Sequence, residues 1–291
     1  MAAIKVLLTL ALVATVAHSA ARVKRVVGGA PYTPGAYPFH VSLWYMGDNN
    51  FYTAGTPDRQ HTCGGSLLKA NWVLTSAVCF DDNFLPGTGN LSNWKVALGM
   101  YNQLDAIDDA QMMTIQELFV LPEYNLTESH GDVALLKLSS SANLTDNMVG
   151  TIDINDDSSC PQDGQTCTVI GWGQTSESEP GNGSYVPRAV EVNVQSTADC
   201  AAVYTHPDVQ ALMGPIVIDD GNVCAGVAEG GKDACSGDAG SPLLCHCGAN
   251  GDVKVSASVT TGFGCARAGY SGVYANVGHY STWIKSTIAN N

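Results

Sequence analysis

Short apolar runs closed off by Gly, Pro, Asn or Asp recur along most of this chain. HVSLWYM, WVLTSAV, DVALLKL, CTVIGWG, AVEVNVQS and GVYANV each gather a few Val, Leu or aromatic residues and then stop. Runs of that length and composition suit strands, and many of them punctuated by turn residues predict an all-β fold of short antiparallel strands in barrels or sandwiches. One helix is predicted at the C-terminus, where Tyr280, Trp283, Ile284 and Ile288 share one face of HYSTWIKSTIANN. SESEPGNGSY and GDNNFYTAGTPDRQ read as exposed loops.

The first residues have a different character. Met1, a positive charge at Lys5, an apolar stretch over 6–17 and small residues near position 20 form a secretory signal peptide, assigned to residues 1–19. No run approaches the roughly 20 apolar residues that a membrane span needs. All ten cysteines lie beyond residue 60. An even count in a secreted chain points to full pairing; the alternative is free, buried cysteines. Lys24 and Arg25 precede VVGG, so residues 20–25 read as a short propeptide, and cleavage after Arg25 leaves 266 residues starting at Val26. The removed segment carries Lys5, Arg22, Lys24 and Arg25 and no acid, which leaves 9 basic against 27 acidic residues, a net charge of −18. Such a charge repels nucleic acid and anionic membranes. It suits a basic partner, or serves solubility alone. A chain of this length buries a large core, as one all-β domain or two half-domains.

The motifs VVGG, HTCGGSLL, WVLTSAVC, DVALLKL, CTVIGWG, NVCAG, KDACSGDAGSPLLC and GFGCARAGYSGVYANV, in this order, resemble the trypsin/chymotrypsin family of serine proteases. The resemblance covers essentially everything after Arg25. It implies two six-stranded antiparallel β-barrels, about 26–150 and 151–291, with a cleft between them and a C-terminal helix. In the family a serine hydroxyl attacks the carbonyl, an imidazole takes its proton, a buried carboxylate orients the imidazole, and backbone amides hold the oxyanion. By motif the imidazole position is Val78, since TSAVC stands where the family has TAAHC; the carboxylate is Asp132 and the nucleophile position is Ala239. Ser236, Ser241 and His130 are candidates for a relocated catalytic group. The turn aims the side chain of residue 239 rather than its neighbours, and His130 reads as a solvated loop histidine. Seven histidines without ligand spacing give no metal site, and no cofactor is expected.

Other family positions keep their residue types. Asp238 is placed to receive the Val26 ammonium after cleavage at Arg25, with His61 where zymogens of the family help hold that aspartate. The amides of Gly237 and Ala239 could form the oxyanion hole. Asp233 falls at the base of a specificity pocket with Gly262 and Gly272 on its walls, the arrangement that trypsin-like members use for Arg or Lys; a leftover carboxylate that binds nothing is the alternative. Thr260-Thr261-Gly262 replaces the family's Ser-Trp-Gly edge, which removes an apolar shelf, and the Thr260 hydroxyl is a candidate partner of Asp132. The resemblance implies the bridges Cys63–Cys79, Cys167–Cys245, Cys200–Cys224 and Cys235–Cys265, which leaves Cys160 and Cys247 as a fifth pair. Sequons stand at Asn90, Asn125, Asn143 and Asn182. The family's calcium loop would span 99–109, but Met100 stands where a carboxylate is wanted, so calcium is not expected.

Together these features predict a secreted, inactive serine protease homologue. It would act by binding an extracellular protein or peptide (a basic segment, a protease, an inhibitor, a protease substrate or a receptor), as a cofactor or decoy in an extracellular proteolytic pathway. Nucleic acid and membrane are not among its partners. An active or residually active trypsin-like endopeptidase is the first alternative, and a storage or structural protein on the inherited fold is the second.

Overall fold

The computed structural model describes residues 26–47, 61–104, 110–178, 183–248 and 250–291. The signal peptide, the propeptide with Arg25, the sequon at Asn182 and part of the 99–109 stretch lie outside the described residues.

The apolar runs form fourteen strands, all paired antiparallel, in two sheets among the described residues. After the short β1 (Ala30–Pro31), the first sheet comprises β2 (His40–Tyr45), β3 (His61–Lys69), β4 (Trp72–Thr75), β5 (Trp94–Leu98), β6 (Gln111–Met113), β7 (Ile115–Val120) and β8 (Ala134–Leu138). Its order is β6-β5-β2-β3-β4-β8-β7. Only Thr114 separates β6 from β7, so one interrupted strand serves both ends of the sheet, its first part on β5 and its second on β8. The second sheet holds β9 (Thr166–Gly171), β10 (Arg188–Gln195), β11 (Asn222–Gly226), β12 (Pro242–His246), β13 (Val253–Thr261) and β14 (Gly272–Asn276). These six close into a ring because β9 pairs with both β12 and β10, and β1 attaches outside the ring on β10.

Strand patterning explains the packing. In β10 the residues Val190, Val192 and Val194 are buried while Glu191 and Asn193 face solvent, so alternation aims one face into the ring. Burying each such side chain contributes about 2 kcal/mol. One hydrophobic cluster runs from Val41, Leu67 and Leu135 of the first sheet to Leu244, Val255 and Ile284 of the second half, so the two barrels share a core.

The C-terminal helix spans Val277–Asn290, starts on Asn276, whose side chain accepts from the His279 amide at 3.3 Å, and buries Tyr280 and Ile284 with Trp283 and Ile288 at the margin. Two further helices, Thr197–Tyr204 and Pro207–Met213, were not predicted. Their signals were short but present: Ser196 accepts from the Asp199 amide at 3.1 Å, and Pro207 occupies the first turn of its helix. Five disulfides join Cys63–Cys79, Cys160–Cys247, Cys167–Cys245, Cys200–Cys224 and Cys235–Cys265. No helix of the described residues is long and apolar enough to cross a membrane.

Candidate functional site

The end of β4, the loop before β8 and the turn before β12 meet between the barrels. β4 ends at Thr75, and a single 3-10 turn, Ala77–Phe80, carries Val78. Asp132 faces that turn from the loop preceding β8 and is 4 % exposed. Its Oδ2 accepts from Ser76 Oγ at 2.5 Å and its Oδ1 from the Val78 amide at 2.8 Å; the Ala77 amide also bonds the carboxylate. Burial nevertheless outweighs these donors and pushes the Asp132 carboxyl up to about 6. The Thr260 hydroxyl is not a partner. It donates to the Val273 carbonyl at 2.9 Å, a bond across adjacent strands, while Ser76 supplies the hydroxyl that Asp132 receives. Ser76 is a site residue that sequence reasoning passed over, although the change from TAAHC to TSAVC carries it.

Ala239 sits opposite, in a tight turn in which Gly237 has φ of +96°, a conformation that favours glycine. The Ala239 carbonyl accepts from the Gly64 amide at 2.8 Å, which ties this second-barrel turn to β3 of the first barrel. Val78 and Ala239 both pack against the shared core, and each presents only methyl groups. Asp238 turns inward: its oxygens accept from the Gly173 amide at 2.8 Å and the Cys235 amide at 2.9 Å, and burial pushes its carboxyl up to about 7. Val26 is fully buried in the second-barrel cluster that includes Ala234 and Tyr274. His61 does not hold Asp238. Its Nε2 bonds the Gly237 carbonyl at 2.8 Å and its Nδ1 meets Ser42 Oγ at 2.7 Å, so the ring is engaged at both nitrogens and buried under the turn. Burial lowers its pKa to about 4, and with Nε2 donating to the carbonyl it is the neutral ring that fits.

A cavity of ≈ 440 Å³ opens beside Ala239, with Asp233, Gly237, Thr261, Gly262, Gly272 and Tyr274 among its walls. Volumes of this size suit a small ligand or one side chain. Asp233, 4 % exposed, accepts from the Ala266 amide at 2.9 Å through Oδ2 and the Ala234 amide also acts on the carboxylate, while Oδ1 and the nearby Tyr274 hydroxyl are buried without a hydrogen-bond partner. Burial pushes the Asp233 carboxyl up to about 7. A Cβ at Gly272 would lie 2.8 Å from Asp233 Oδ1, so a side chain there would crowd the floor. At the rim Glu177 takes a bidentate ion pair from Arg267, with Nε–Oε2 at 2.9 Å, and the guanidinium lies 4.7 Å from the centre of the Phe263 ring. Ninety residues separate the partners, and no local pattern announces the pair.

Two loop assignments have structural outcomes. His130 is not a free loop histidine: Nε2 lies 3.2 Å from Asp219 Oδ2, because the segment before β8 docks on 217–219, with the Val217 amide donating to the Glu128 carbonyl at 3.0 Å. The sequon residues Asn90, Asn125 and Asn143 are exposed, and each Oδ1 accepts from the amide two residues on, at 3.1, 3.0 and 3.0 Å.

Comparison with known proteins agrees with this geometry. The family model described as "Trypsin" matches residues 26–284. Trypsin I-P1 of Gallus gallus is 34 % identical over 272 residues, 92 % of this chain and 90 % of the relative. Trypsin-3 of Salmo salar is 33 % identical over 82 % of this chain and 88 % of its own length, and a trypsin of Xenopus laevis is 32 % identical over 92 % of each. With two antiparallel barrels, a cleft at their junction and a family match across nearly the whole described chain, this protein belongs to the trypsin family of serine proteases.

Proposed function

We propose that this chain is a secreted trypsin homologue that binds basic side chains and does not cleave them. One observation carries the reading: Val78, beside Asp132, and Ala239, on the opposite side of the cleft, offer methyl groups, and the carboxylate is bound to Ser76 and to the backbone amides of residues 77 and 78. Peptide hydrolysis by the family mechanism needs an oxygen nucleophile and a base within about 3 Å of it. Among the described residues the one serine–histidine hydrogen bond, Ser42 to His61, is buried away from the cavity, and both groups have other partners. In a protease of unrelated fold with the same triad, losing the serine or the histidine alone lowers turnover by roughly 10⁶.

Asp233 supports the binding half of the reading. A buried carboxylate with one free oxygen at the floor of an open cavity is matched by a guanidinium or ammonium, which would return it to its ionised form. Asp238 is poised in the same sense for the Val26 ammonium. Cleavage after Arg25 would create that cation beside a carboxylate that is otherwise held only by two amides. The leader and the five disulfides support an extracellular setting.

The names of the relatives favour a second reading, a serine endopeptidase. Incubation of the matured protein with a serine-directed fluorophosphonate separates the two. No adduct is expected at a tenfold excess of reagent, whereas stoichiometric labelling of Ser236, Ser241 or any other serine would make the protein an enzyme.

A further inference from the structure

Two amides on the wall of the Asp233 cavity lack partners. Neither the Gly237 nor the Ala239 N–H donates a hydrogen bond among the described residues, and both residues line the cavity. Their orientations are fixed from behind. The carbonyl of the 236–237 peptide is held by the Gln174 amide at 2.8 Å, and that of the 238–239 peptide by the Ser241 amide at 2.8 Å. In a trans peptide the N–H points opposite to the carbonyl, so both donors are pre-set. Asp132 and Asp238 are engaged by their own donors, and Glu177, the other carboxylate on the cavity wall, is neutralised by Arg267. The cavity therefore has an acidic floor with a free oxygen and a pair of free donors beside a methyl group.

A ligand that matches both ends carries a cation and an anion one side chain apart. We infer that the cavity takes a peptide whose last residue is Arg or Lys: the side chain reaches Asp233, and the terminal carboxylate is received by the amides of Gly237 and Ala239. The inference rests on the pocket reading given above and narrows it. A carbonyl within a continuing chain can also accept from these amides, but a carboxylate makes charge-assisted bonds roughly twice as strong. Ligands of this kind are products of hydrolysis after a basic residue, in which water adds across the acyl C–N bond and releases a carboxylate and an amine. The protein would thus act downstream of a trypsin-type cleavage, and cutting after Arg25 generates one such end, ARVKR, from its own chain.

Calorimetric titration of the matured protein at pH 8 with the synthetic peptide ARVKR, as free acid and as C-terminal amide, tests the inference, with benzamidine as a cation that lacks a carboxylate. The acid is expected to bind about tenfold more tightly than the amide, and Asp233→Asn to lose both peptides. Equal affinities, or a tighter amide, with benzamidine still bound would overturn the terminal-carboxylate inference and leave the pocket reading in place. Failure of all three ligands to bind wild type would overturn both.

Discussion

Asp132 on the first-barrel side of the cleft and Asp233 on the second-barrel side are equally buried, and burial drives both carboxyls upward, to about 6 and about 7. Their surroundings differ. Asp132 has donors on both oxygens, all from the 76–78 segment, so it fastens the turn that carries Val78. Asp233 receives only backbone amides, Ala266 on Oδ2 with Ala234 also acting on the carboxylate, and its Oδ1 lacks a hydrogen-bond partner. A satisfied buried carboxylate is part of the scaffold, whereas an unsatisfied one at the floor of a cavity is costly to keep unless a ligand completes it. The two sides of the cleft thus differ in what their carboxylates lack, and on the proposed reading the first serves as scaffold and the second as receptor.

Truncating each carboxylate tests that division most severely. Asp132→Ala strands the Ser76 hydroxyl and two amides in a buried space, and urea melts at pH 7 should show a loss of about 3 kcal/mol. Asp233→Ala strands the Ala266 and Ala234 amides but no side-chain donor, and it removes a carboxyl with an unpaired oxygen, so its loss should be smaller, about 1 kcal/mol. Equal losses would erase the distinction between anchor and receptor. Ligand binding should reverse the ranking. Asp233→Asn is expected to weaken benzamidine on the order of 100-fold, as truncation of one partner of a buried charge pair does. Asp132→Asn should change it less than about threefold, since its bonds go to the 76–78 segment and none to the Asp233 cavity. A large effect of Asp132→Asn on benzamidine would place that carboxylate in the binding machinery.

Much of this arrangement was legible in the sequence, because the motifs resemble those of the family and carry its residue placements with them. By that resemblance Gly237, Asp238, Ala239 and Asp233 are placed from KDACSGDAGSPLLC, and four disulfides from the family's cysteines, with the fifth from the two left over. Partners chosen in three dimensions were less legible. Ser76 stood in the quoted TSAVC, yet only the structure shows its hydroxyl on Asp132 while Thr260 turns to Val273. His61 was assigned to Asp238 by analogy, but its ring bonds the carbonyl next to that residue. Glu177 and Arg267 meet across ninety residues, a distance over which side-chain pairing has no sequence period. The helices starting at Thr197 and Pro207 are eight and seven residues long, too short for an amphipathic pattern to stand out.

The smallest predicted effect concerns charge alone. Asp132→Asn keeps the shape, and the amide can serve the main partners: Oδ1 accepts from the Val78 amide, and Nδ2 donates to Ser76 Oγ once that hydroxyl rotates. What remains is the ionisation of the wild-type carboxyl. Its folded pKa of about 6 lies above the value of about 3.9 expected in the unfolded chain. A carboxyl raised on folding contributes most below the unfolded pKa, and that contribution is lost as pH climbs through the folded pKa, because the unfolded chain ionises first. Wild type should therefore lose stability relative to Asp132→Asn by about 2 kcal/mol between pH 4 and pH 7, and the asparagine variant should equal or exceed wild type at pH 7. Asp233 and Asp238 are present in both proteins, so their titrations cancel in the difference. Urea melts of the pair at half-unit pH intervals measure it directly. A difference that is flat, or that moves in favour of wild type as pH rises, would mean that Ser76 and the two amides hold Asp132 as an anion against the cost of burial, and that the anchor works through its charge.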